Sequence, residues 1–201
     1  FLRRHYPCFL PIYDGYAEPI MRADAVRYFI LYHYGGVYAD LDVECLRPLE
    51  PLLAGREVVL GLEPPGHLEE HRARGYPLDR IVSNACMASA PGHPFWEHVC
   101  RQLIAYHRAP SPLDATGPFM LTRAVDTYPE PEAIRIEPAE ILFPVTSATR
   151  WLALSAEERE RLAQAAYTVH HWAGTWRRPP AAALERQARV SLLIEGRAGG
   201  M

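Results

Sequence analysis

Residues 35–43 read GGVYADLDV. Val37, Ala39, Leu41 and Val43 alternate with Tyr38, Asp40 and Asp42, the period-two pattern of a strand with one apolar and one polar face. Just before them, residues 20–34 (IMRADAVRYFILYHY) carry apolar side chains at helical spacing and stop at Gly35-Gly36, a C-cap signal. Helix, glycine turn and strand in succession predict an α/β domain. Working outward, residues 58–62 (VVLGL), 85–90 (ACMASA) and 167–172 (YTVHHW) read as further short strands. Helices are expected from Pro94 to about His107, after Gly117-Pro118, and from the Ser155–Glu158 capping box through Ala163. The Gly-, Pro- and His-rich stretch 63–80 reads as a surface loop, and the tail from Pro180 as an Ala/Arg/Glu/Leu helix with a loose end.

The chain has 201 residues, 49% of them apolar and 22% charged, enough to build the core of one domain. A net charge of −3 argues against a nucleic-acid partner. No apolar run approaches the roughly 18 residues of a membrane span. All 21 basic residues are arginines, which excludes a lysine Schiff base or a P-loop lysine. Cys8, Cys45, Cys86 and Cys100 have no CxxC spacing and read as small buried hydrophobes in a reducing compartment. The opening FLRRHYPCFL starts mid-pattern, so an N-terminal piece is expected to precede it.

On a single strand, Asp40 and Asp42 project from the same face. Two converging carboxylates without a local base are costly to bury, and a divalent cation removes that cost. Oxygen-only ligands select Mg²⁺ or Mn²⁺ over zinc and leave room for a substrate diphosphate. The motif alone is weak, since seven aspartates in 201 residues give about 0.24 Asp-x-Asp pairs by chance. Its bland reading is a strand edge bearing two hydrated acids. Neighbouring small and apolar residues place it instead at the rim of a core. Asp24 and Arg27 add a second element, three apart on the preceding helix with Arg22 nearby. That helix is apolar almost all round, so its charges should be buried and need partners, for which sugar hydroxyls or a phosphate qualify.

The block Arg22-Ala-Asp24-Ala-Val-Arg27-Tyr28, followed by Gly35-Gly36-Val37-Tyr38-Ala39-Asp40-Leu41-Asp42, closely resembles the DXD sugar-binding region of glycosyltransferase family 32. Three further blocks match in order: Ser83-Asn84 with Pro91–Pro94, Thr116-Gly117-Pro118, and His170-His171-Trp172-Ala173-Gly174-Thr175-Trp176. The resemblance implies a GT-A fold, a Rossmann-like mixed sheet flanked by helices, here without its N-terminal strand. It would occupy residues 1–178, with 179–201 as a C-terminal helix and tail. It implies a retaining, metal-dependent hexosyl transfer from a UDP- or GDP-sugar to a glycan or glycolipid, with Mn²⁺ or Mg²⁺ as cofactor. Carried over by position, Asp40 and Asp42 hold the cation and the donor diphosphate. Asp24 and Arg27 contact the donor sugar or ribose, Tyr38 packs on the nucleotide, and Asn84 lies near the sugar. Thr175 and Trp176 close over the phosphates. One histidine completes the metal site: HxxG spacing selects His171, while its distance from the tryptophan selects His170. Bacterial relatives imply a cytoplasmic setting, peripheral to the inner face of a membrane.

Elsewhere the bland reading is preferred. His67, Glu69, Glu70 and His71 resemble a metal cluster but read as a solvated segment. His93, His98 and His107 are expected to face solvent, Phe95 and Trp96 to fill core, and Arg177-Arg178 to be either a diphosphate contact or a charged exit. Two other functions remain open. One is a phosphohydrolase using the same acid pair, against which the missing lysine counts. The other is a non-catalytic nucleotide-sugar binder.

Overall fold

A computed structural model describes residues 1–174 and 176. The principal elements are α1 (Pro19–Tyr34), β1 (Gly36–Ala39), β2 (Val43–Cys45), β3 (Val58–Leu62), α2 (Pro65–Ala73), β4 (Val82–Ser89), α3 (Pro94–Tyr106), α4 (Pro118–Asp126), β5 (Ile134–Glu137), α5 (Ala156–Ala165) and β6 (Thr168–His170), with shorter helical turns between them. Proline starts α1 to α4, where its missing N–H costs nothing and its fixed φ suits the first turn. The capping box at Ser155 and Glu158 opens α5. Gly35 closes α1 at φ +64°, its N–H bonded to the Leu31 carbonyl, and a Cβ there would meet Pro91 N at 2.6 Å.

Four strands form a mixed sheet in the order β1-β4-β3-β5, antiparallel except for the β3–β5 pair. A separate antiparallel ribbon joins β2 to β6, with Val43 opposite His170. Along β3 the pleat sends Val58 and Leu60 to one face and Val59 to the other. The first face is covered by α1, α3 and α4 through Tyr28, Phe29, Phe95, Trp96 and Met120. The second meets Leu52, Leu142 and Phe143. This is the mixed sheet flanked by helices that the sequence predicts. Among the described residues, no helix is long and apolar enough to cross a membrane.

Several expectations need correction. Residues 37–43 do not form one strand: β1 ends at Ala39, Leu41 and Asp42 form a turn, and Val43 begins a strand of the other sheet. Val37 and Leu41 are therefore exposed, Leu41 completely at 106%, and do not line a core. The alternation is genuine, but half of it belongs to a turn, which period-two patterning cannot distinguish from a strand. Residues 65–73, expected as loop, are helical; the helix is polar and its buried residue is His71, set edge-on against Phe119 at 4.8 Å, so no apolar stripe announced it. His93 is 7% exposed because its ring caps α3, accepting from the Phe95 N–H. Cys8 and Cys45 are exposed rather than buried. Phe95 and Trp96 are completely buried, as expected. Thr175, Arg177-Arg178 and the tail helix lie outside the described residues.

Candidate active site: a buried ion network beneath a carboxylate–imidazole rim

The site is built at the C-terminal end of β1, where the chain leaves one sheet for the other. On the inner side, α1 directs Asp24 and Arg27 toward β4. Arg27 Nη2 lies 2.7 Å from Asp24 Oδ1, with side chains only 4% and 8% exposed. Asn84 from β4 donates to Asp24 Oδ1 at 3.1 Å, and Thr116 donates to Oδ2 at 3.2 Å. Arg27 Nη1 reaches the Asn84 carbonyl at 2.8 Å and Asp40 Oδ1 at 3.1 Å, while its guanidinium carbon stands 4.5 Å above the Tyr38 ring. The Tyr38 hydroxyl donates to the same Asp40 oxygen at 2.6 Å. Tyr28 completes the floor, donating to the Thr116 carbonyl and accepting from Asn84.

Each buried charge in this network has partners, as burial requires. Burial raises the Asp24 carboxyl above its ordinary range; Arg27 opposes this, Asp40 adds to it, and the hydrogen bonds from Thr116 and Asn84 lower it. Burial works against the Arg27 cation, but Asp24 and Asp40 outweigh it and hold the guanidinium charged. The network thus fixes one oxygen of Asp40 from two directions.

The rim is assembled differently. The Asp40 N–H bonds to the Ala85 carbonyl, prolonging the β1–β4 ladder by one rung, and the Val43 N–H closes the turn onto the Asp40 carbonyl at 3.0 Å. Asp42 then opens onto the β2–β6 ribbon. Its carbonyl accepts from the His171 N–H, its Oδ2 accepts from the Ala173 N–H at 2.8 Å, and its Oδ1 lies 3.1 Å from His170 Nε2. One ligand atom each from Asp40, Asp42 and His170 fall within 4.8 Å of one another, the only such metal-capable group found among the described residues. Burial opposes ionisation of Asp42, but the bonds from His170 and the backbone outweigh it and hold its carboxyl below the usual range. The acids therefore converge through a turn between two sheets and not along one strand face.

The strand alternation of β6 sends the two histidines to opposite sides. His170 joins the acids, whereas His171 Nε2 pairs with Glu44 Oε2 at 3.0 Å and its ring lies near Trp151. His170 Nδ1 is buried and has no hydrogen-bond partner among the described residues. Next to it, Trp172 adopts φ +52°, the one positive φ at a non-glycine residue among those described. A left-handed backbone costs an ordinary residue of order 1 kcal/mol, so the surroundings must hold it there. Trp176 is 36% exposed, and Asn84 is 7% exposed within the network. Thr116 and Tyr28 were not singled out as site residues; Thr116 was visible only as part of a matching block, because its partner Asp24 lies 92 positions away.

The sequence profile of the glycosyltransferase sugar-binding region containing DXD motif matches residues 1–59, which hold Asp24, Arg27, Tyr38, Asp40 and Asp42. Over residues 1–59 the chain matches the DXD-containing glycosyltransferase family. Among curated relatives, mannosyl phosphorylinositol ceramide synthase SUR1 of Saccharomyces cerevisiae is 35% identical over 168 residues, covering 75% of this chain and 40% of that protein. Inositol phosphoceramide mannosyltransferase 3 of Schizosaccharomyces pombe is 42% identical over 127 residues, 61% of this chain and 32% of that one. The chain thus spans about two fifths or less of these relatives' length. A solved structure, the PaToxG glycosyltransferase, aligns with TM-score 0.47 and 15% identity over 82% of this chain and 61% of that chain.

Proposed function

We propose that this chain carries the donor half of a metal-dependent, retaining glycosyltransferase that moves mannose from a GDP- or UDP-sugar to an inositol-phosphate-bearing sphingolipid. The observation that carries the reading is the convergence of Asp40, Asp42 and His170 within 4.8 Å. Two carboxylates and an imidazole are a donor set suited to Mn²⁺ or Mg²⁺, with the imidazole favouring Mn²⁺. A divalent cation held there supplies positive charge opposite the donor diphosphate. The activities named for the yeast relatives support mannose and the lipid acceptor.

The chain's own residues have distinct tasks in this reading. Arg27 and Tyr38 hold Asp40 Oδ1, so the second oxygen of that carboxylate is left for the cation. Asp42 is aimed by His170 and the Ala173 N–H. Asp24, Asn84 and Thr116 lock the floor beneath Asp40 on the donor side, and Trp176, 36% exposed, is the aromatic residue on the side of the donor phosphates. In the transfer, the acceptor oxygen bonds to the anomeric carbon as its bond to the diphosphate oxygen breaks, and the hydroxyl proton passes to that leaving oxygen. Stabilising charge on the departing diphosphate is the site's main contribution. We place the reaction at the cytoplasmic face of a membrane, where the acceptor lipid is presented.

The test is nucleoside-diphosphate release from a panel of GDP- and UDP-sugars, with Mn²⁺ or with chelator. Release from one donor, abolished by chelator, is expected. Metal-independent release would overturn the reading, and donor binding without release across the panel would make the chain a binder instead.

A further inference from the structure

Trp172 is the one described non-glycine residue with positive φ, and it stands two positions from His170. Three contacts fix it. Its indole N–H donates to the Val145 carbonyl at 2.7 Å. Its ring lies 4.1 Å from the His170 ring at an interplanar angle of 39°. On its other side the His67 ring meets it edge-on at 4.3 Å and 83°. His67 is itself pinned at both nitrogens, Nδ1 to Glu63 Oε2 and Nε2 to the Thr146 carbonyl, each at 2.9 Å. The His67 segment of α2 thereby meets the rim through the Trp172 ring.

His170 lacks the usual means of setting an imidazole's direction. A metal-directed histidine ordinarily donates its second N–H to a carboxylate or carbonyl, which fixes tautomer and ring angle. Here Nδ1 is buried with no such partner among the described residues. What holds the ring plane is the face of Trp172, with Phe143 6.2 Å away on another side. We propose that Trp172 is the positioning residue for His170, aligning Nε2 with Asp42, and that His67 braces Trp172 from α2. Packing thus replaces the missing second hydrogen bond, and the left-handed backbone at Trp172 is what swings the indole over the imidazole. The inference rests on the metal reading of Asp40, Asp42 and His170 and assigns its support.

The test is calorimetric titration of the full chain with Mn²⁺ alone, without donor, for Trp172→Leu, Trp172→Phe, His67→Ala and His170→Ala, with thermal unfolding measured on each. Trp172→Leu is expected to weaken Mn²⁺ binding by about tenfold, the usual effect of losing an outer support. Trp172→Phe, which keeps a ring face, recovers most of that loss. His67→Ala weakens binding in the same direction while its unfolding temperature stays near that of the unsubstituted chain. In turnover, Trp172→Leu and His67→Ala raise the Mn²⁺ concentration needed for half-maximal rate. Unchanged Mn²⁺ affinity in a folded Trp172→Leu or in His67→Ala, together with a loss in His170→Ala, would overturn the positioning role and leave the metal site standing. Unchanged affinity in His170→Ala would instead overturn the metal reading itself.

Discussion

The two halves of the site hold their carboxylates in opposite ways. Around Asp24 and Arg27 the acids and the cation sit inside the core, each polar atom spoken for by α1, β4 or Thr116. Around Asp42 the acid, its side chain 22% exposed, sits at a junction between two sheets, aimed by one imidazole and one backbone N–H. Asp40 belongs to both: Arg27 and Tyr38 hold it from below, and it reaches the Asp42–His170 rim from above. In the proposed function the first half is chiefly support and the second carries the metal chemistry. The inner network is costly to disturb because its charges are buried.

The largest effect that separates them is on activity. Asp42→Ala should lower metal-dependent transfer by about 10²-fold or more and lower the denaturant midpoint only modestly, through loss of the bonds from His170 and the Ala173 N–H; nucleoside-diphosphate release and urea unfolding on the same variant check both. Arg27→Ala adds a large loss of stability to the loss of activity. It strands Asp24 in the core, and removing one partner of a buried ion pair costs about 3–5 kcal/mol, seen as a fall in urea midpoint. Thr116→Val is milder, leaving Asp24 Oδ2 one donor short for about 1–3 kcal/mol, measured the same way.

Acid titration sharpens the difference further. The lowered folded pKa of Asp42 means that its contribution to stability is complete above its ordinary value of 3.8 and is lost as pH falls through the folded value. Asp24 has the opposite sign: its raised folded pKa makes its contribution largest at low pH and smaller as pH rises through that range. In chelator, Asp42→Asn should therefore lower stability at neutral pH and flatten the acid limb of a stability–pH curve, the two curves converging at low pH. The smallest effect belongs to Leu41, fully exposed at the turn. Leu41→Ser should change stability by no more than about 0.5 kcal/mol, whereas a real strand residue facing a core would cost several times that.

These differences follow which features are local in sequence. The helix carrying Asp24 and Arg27, its glycine stop, the strand at 58–62 and the second half of the strand at 82–89 (read as 85–90) are written in periodicity and punctuation, as is the α/β class; the mixed sheet follows from the family resemblance. The Asp40–Asp42 turn was not legible, because apolar and polar residues alternate across a turn as they do along a strand. Choosing between His170 and His171 needed the register of β2 on β6, which sets Val43 opposite His170 and is decided more than 120 residues apart. Thr116 was hidden for the same reason. A polar helix such as α2 has no apolar stripe to announce it, and so the brace of His67 on Trp172 could not be read in advance.

The central claim is that Asp40, Asp42 and His170 jointly hold one divalent cation. The direct measurement is anomalous scattering at the manganese edge from crystals soaked with Mn²⁺ and GDP. The account predicts a single strong peak within bonding distance of a carboxylate oxygen of Asp40, one of Asp42 and a nitrogen of His170, with the diphosphate on its open side. A peak beside His171 and Glu44, or diphosphate bound with no manganese between the two aspartates, would contradict it.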